Sequence, residues 1–135
     1  MHRFLRPIQE LSGVVLLGIA VIVIVGCSRP QRAGPVNPSA AREALRTSLE
    51  SWKKGDQMRS LRERSPAIVV QDLDWEAGYR LIDYQIIGDG KDDNVNLLCP
   101  VQLTLVDKQG RQVKKKVSYI VSTDPRITVF REISM

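Results

Sequence analysis

The chain has 135 residues, 43% of them hydrophobic and 26% charged, with a formal net charge of +5; that is room for a single modest domain of ordinary globular composition. From Ser28 onward 18 basic residues face 14 acidic ones, an excess too small to argue for nucleic acid. The sole histidine is His2 and there are two cysteines, which removes histidine-based triads and leaves no basis for an ordinary zinc site.

The first segment, 1–27, reads as an export signal or membrane anchor. Arg3 and Arg6 give a positive start, Val14 to Val25 is an unbroken apolar run, and Ile24-Val25-Gly26-Cys27 closes it. A spanning helix needs about 20 apolar residues, and this run is slightly short of that. Its last four residues resemble a bacterial lipobox, with Ile24 where leucine is usual. That resemblance implies lipidation of Cys27, which would become the mature N-terminus. The alternative is an uncleaved single-pass anchor, with Arg3 and Arg6 inside. Both put the domain on the exported side, in the periplasm or on the cell surface.

With Cys27 acylated, Cys99 has no disulfide partner. It sits in VNLLCPVQLTL at an alternating position shared with Val95, Leu97, Val101, Leu103 and Leu105, the pattern of a buried strand thiol. Residues 28–39, SRPQRAGPVNPS, carry three prolines and a glycine with little to bury, and read as a flexible tether that could span roughly 35 Å.

The domain is expected over 40–135. Ser39 is the expected N-cap of a helix whose Ala41, Leu45, Leu49 and Trp52 recur on one face, and Gly55 ends it. A short helical turn with Met58 and Leu61 inward follows and stops before Pro66. Strands are then expected at AIVV, at YRLIDYQIIG, from Val95 to Val106, from Gln112 to Ser122 and from Ile127 to Ile133, with a tight turn at DKQG. Helices followed by antiparallel strands make the class α+β: one long helix and a short helical turn on a curved antiparallel sheet of about four strands.

ALRTSLESWKKGD followed by QDLDWEAGYRLIDYQIIG resembles the nuclear-transport-factor-two-like (cystatin-like) fold over Ser39 to Ile133, in which a long helix packs in the concave face of a curved sheet. The tethered whole resembles small bacterial lipoproteins of unassigned role. Enzymes of that fold use an acid or an aspartate–histidine pair in the cone; other members bind or dimerise without catalysis. No histidine here can complete such a pair.

The chemistry-bearing residues are few. Asp83 shares an alternating face with Tyr79, Leu81, Gln85 and Ile87, so a concave placement would make it a general base, with edge exposure or pairing to a lysine as the plainer reading. Asp72, Asp74 and Glu76 surround Trp75 in what reads as a polar loop, with Trp75 sealing the edge of the core. GDGKDDN reads as a turn, because a lysine stands at a ligand position of the calcium-loop pattern. In RQVKKKVSY, Lys114 and Lys116 share one face with Ser118 and Ile120, while Val113, Lys115, Val117 and Tyr119 share the other. A solvated sheet face fits that split better than nucleic-acid binding does.

The sequence therefore points to a membrane-anchored, non-enzymatic binding or structural module of the cell envelope. It is held by an acyl group or by its N-terminal helix, and an anionic lipid or a cell-wall polymer is a further candidate contact. No cofactor, metal or nucleic acid is expected, and no protein partner is identified. The alternative is a small cone-fold enzyme using Asp83.

Overall fold

The computed structural model describes Gly26 and residues 32–133. The apolar run Val14–Val25, the lipidation candidate Cys27 and the first part of the expected tether, 28–31, lie outside the described residues.

Helix α1 spans Pro38–Lys54. Asn37, not Ser39, caps it: the Asn37 side chain accepts from the Ala40 N–H at 3.1 Å, and Pro38 takes the first helical position, where its missing N–H costs nothing. Gly55 closes the helix in the left-handed region at φ 87°, and its N–H reaches the Trp52 carbonyl at 2.9 Å. Ala41, Ala44, Leu45, Leu49 and Trp52 form the buried stripe. A 3-10 turn, Met58–Glu63, follows and buries Leu61.

Then come β1 (Ile68–Gln71), the one-turn helix α2 (Leu73–Glu76), β2 (Arg80–Ile86), β3 (Lys91–Asp92), β4 (Leu97–Val106), β5 (Gln112–Ser122) and β6 (Ile127–Arg131). They build one curled, mixed sheet, a half-barrel, in the order β1-β6-β5-β4-β2, with β3 beside β4. The expected antiparallel sheet of about four strands is corrected in two respects. The two-residue β3 lies within the expected turn and pairs Lys91 with Leu98, and β1 runs parallel to β6 with Ile68 opposite Ile127. The first and last strands are thus neighbours, an arrangement that no local pattern announces.

The concave face is the core. Leu97, Cys99, Val101, Leu103 and Leu105 of β4 meet Tyr119 and Val121 of β5, Val129 of β6 and the stripe of α1. Alternation along β4 therefore reads correctly, and burial pushes the Cys99 thiol above its ordinary value.

The described end of the expected tether is attached to the domain. Gly34 N–H donates to Asp124 at 2.7 Å, Val36 N–H to the Asn94 carbonyl at 2.8 Å and Asn37 N–H to Thr123 at 2.8 Å, and Val36 is buried. Gly34 to Asn37 are thus held against the loops that follow β3 and β5.

Candidate functional site

Asp83 is not in the concave face. The pairing of β2 with β4 slips between Leu81 and Asp83: Leu81 faces Leu105, but Asp83 faces Thr104 and Tyr84 faces Leu103. The extra residue, Ile82, reverses the side on which everything after it falls. Leu81 stays buried, Tyr84 and Ile86 turn toward the core, and Asp83 goes out, its side chain 73% exposed and 3.9 Å from Lys53. Tyr84 takes the inward position expected for Asp83 and donates to Glu50 of α1 at 2.6 Å. Burial and the Glu50 carboxylate push its phenol up to about 12.

The residues read as a polar loop supply Asp72 and Asp74, the buried carboxylates among the described residues. Asp72, 2% exposed, caps α2 through its Oδ1, which accepts from the N–H groups of Asp74 (2.9 Å) and Trp75 (3.1 Å). The same oxygen accepts from Arg131 at 2.9 Å, and Oδ2 accepts from the Tyr119 hydroxyl. Asp74 accepts from Arg131 at 2.6 Å and from Lys115 at 3.1 Å. Lys115 also lies over the Tyr79 ring, 5.4 Å from its centroid.

Two carboxylates thus meet two cations in a region largely closed to water. Burial raises the Asp74 carboxyl, but hydrogen bonds from Arg131 and Lys115 outweigh it and hold the group below its ordinary value. Burial likewise opposes the Arg131 charge, and the Asp72 carboxylate more than restores it. Tyr119 is held protonated by burial and by Asp72. Among the described residues no buried side-chain polar atom lacks a partner, so every buried member of the cluster is held by at least one other. Its action is mechanical: it fastens α2, and therefore Trp75, to β5 and β6.

Trp75 is the use of that fastening. Its ring stacks on Trp52 of α1 with centroids 5.3 Å apart and planes within 3°. Both indole N–H groups are committed to main-chain carbonyls, Trp52 to Tyr79 at 2.8 Å and Trp75 to Asp56 at 3.1 Å. The helix end puts the second carbonyl in place: Asp56 N–H bonds back to Ser51 O beyond the left-handed Gly55, and Asp56 also accepts from the Ser51 hydroxyl at 2.8 Å.

Beside the stacked pair an open cleft of about 650 Å³ runs between the end of α1 and the start of β2, lined by both indoles, Lys53, Lys54, Asp56, Gln57, Met58, Glu76 and Arg80. Lys53 pairs with Asp83, while Lys54, Arg80 and Glu76 form no ion pair among the described residues.

Sequence reasoning put Lys115 on the correct face and Trp75 at the rim of the core. It missed that Asp72, Asp74, Lys115 and Arg131 converge. The available signal was an Asp-x-Asp pair together with cations at core-facing positions of two strands. Among the described residues no group of three or more potential metal ligands converges, and no helix is long and apolar enough to cross a membrane. Two of the GDGKDDN carboxylates are turned onto their own loop, with Asp92 accepting from Asn94 N–H and Asp93 from Asn96 N–H.

No family model, curated protein or solved structure matches this chain.

Proposed function

We propose that this protein is a membrane-anchored lipoprotein of the cell envelope, attached through Cys27, whose domain is a non-enzymatic binding or structural module with a nuclear-transport-factor-two-like plan. The observation that carries the domain half of this reading is the filled concave face. An enzyme of the cone type needs a cavity lined by a desolvated acid. Here the concave face is occupied by the packed core, Asp83 stands exposed beside Lys53, and the acids that are buried, Asp72 and Asp74, are consumed by Arg131, Lys115 and Tyr119. The anchoring half rests on the sequence 1–27.

Intact-mass analysis of the protein recovered from membranes tests the anchor. The expected species begins at Cys27 and carries acyl mass, and Cys27→Ala yields an unprocessed precursor without fatty-acid label. A membrane-bound species that retains Met1 and has no acyl mass would replace the lipoprotein with the uncleaved single-pass form.

A further inference from the structure

We infer that the cleft beside Trp52 and Trp75 is a binding site for an acidic saccharide chain. This rests on the reading of the domain as a binding module and gives that reading a ligand class.

Position comes first. The chain enters the domain at Gly34–Asn37, bonded to Thr123, Asp124 and Asn94, next to the N-terminus of α1. The cleft lies past the C-terminus of that helix, 17 residues and therefore about 25 Å away. A domain held from upstream of residue 34 presents the cleft at its opposite pole, away from whatever holds it.

The lining chemistry then selects the ligand. Trp52 is only 3% exposed and lies stacked beneath its neighbour, so the half-buried Trp75 presents the ring surface, and with its N–H already bonded to the Asp56 carbonyl it offers no donor. Ring surface pinned in place suits the C–H face of a pyranose, which loses little by lying on a rigid aromatic plane. Lys54 and Arg80 stand at the rim without carboxylate partners among the described residues and supply the charge-assisted donors that a uronate carboxylate requires. Glu76 and Gln57 add acceptors for sugar hydroxyls. An aromatic acid would leave those acceptors unused, and a polyphosphate has no C–H face to lay on the Trp75 ring. A cleft that is open along its length accepts a chain running through it, whereas an isolated small ligand would leave most of its surface wet.

The test uses an internal probe, because Trp52 and Trp75 are the only tryptophans in the chain. Full-length protein in detergent micelles is titrated with oligogalacturonate, with a neutral chito-oligosaccharide, with inorganic phosphate and with benzoate, and tryptophan emission is followed. Oligogalacturonate is expected to give a saturable change that weakens as salt is raised. The neutral sugar, phosphate and benzoate are expected to bind at least ten-fold more weakly.

The double variant Lys54→Ala/Arg80→Ala, both exposed and unbridged, should melt within a few degrees of wild type and lose oligogalacturonate affinity about ten-fold or more. Lys91→Gln, at the far end of the domain, should lose none. The inference is overturned by no saturable change with oligogalacturonate at millimolar concentration, by equal affinity for the neutral sugar, phosphate or benzoate, or by a double variant that binds as wild type does. Such a failure leaves the acyl-mass result at Cys27 untouched, so ligand class and anchored module fail separately.

Discussion

Arg131 and Asp72 meet at 2.9 Å across 59 residues of sequence, with side-chain exposures of 11% and 1%. A charge pair this enclosed gives little net stability when intact, because desolvation offsets most of the attraction, but it is costly to break from one side. Arg131→Met is therefore expected to destabilise by about 3–5 kcal/mol in urea denaturation, since it leaves Asp72 buried with one cation removed. Adding Asp72→Asn should recover part of that loss, because asparagine still caps α2 and carries no charge. A loss below about 1 kcal/mol for Arg131→Met would mean that the cluster is looser than its geometry.

The same cluster sets the acid limb of stability. Asp74 gives up its proton more readily in the folded than in the unfolded chain, where the ordinary value is 3.8. Its contribution is thus complete above that value and is lost as pH falls below it through the lower folded value. The urea midpoint should fall steeply below about pH 4, and Asp74→Asn, though weaker near neutrality, should show a shallower fall. Identical slopes for the two proteins would remove Asp74 as the source.

Tyr84 provides an independent reading in alkali. Its phenol lies above the ordinary 10.0, at about 12, through burial first and the Glu50 carboxylate second. The folded chain holds this proton more tightly, so the contribution is present below pH 10.0 and disappears as pH rises through about 12. Ultraviolet titration of Glu50→Gln should show one tyrosine ionising earlier than in wild type. An unchanged titration would place Tyr84 apart from Glu50.

How far the sequence is legible depends on how local the cause is. β4 reads correctly because five alternating apolar residues have one answer, and the Trp-x-x-Gly-Asp end of α1 reads correctly because only a left-handed residue closes that turn. The start of α1 is a near miss with a local cure: in Asn37-Pro38-Ser39 the proline marks the first helical position, so the residue before it must be the cap. Asn37→Ala should cost about 1 kcal/mol and Ser39→Ala almost nothing in thermal melting. Equal effects would contradict the assigned start.

The parallel contact of β1 with β6 and the Arg131 clasp were not legible, because each joins residues about 60 positions apart and nothing nearby demands either.

Asp83 shows how one inserted residue can redirect a functional reading. Strict alternation from Leu81 puts Asp83 in the core, and the bulge at Ile82 puts Tyr84 there instead. The energetic consequence is small, since Asp83 and Lys53 approach only to 3.9 Å with both side chains well exposed, and such pairs contribute about 0–1 kcal/mol. Asp83→Asn should therefore melt almost as wild type does. Trp52→Ala, which empties a site only 3% exposed and orphans the Tyr79 carbonyl, should cost about 3–5 kcal/mol. The decisive comparison pairs stability with biology: Asp83→Asn in the full-length anchored protein should complement a deletion strain as well as Lys108→Gln does. A variant that folds normally and fails to complement would give Asp83 a chemical role that its exposed position does not explain, and the non-enzymatic assignment would have to be abandoned.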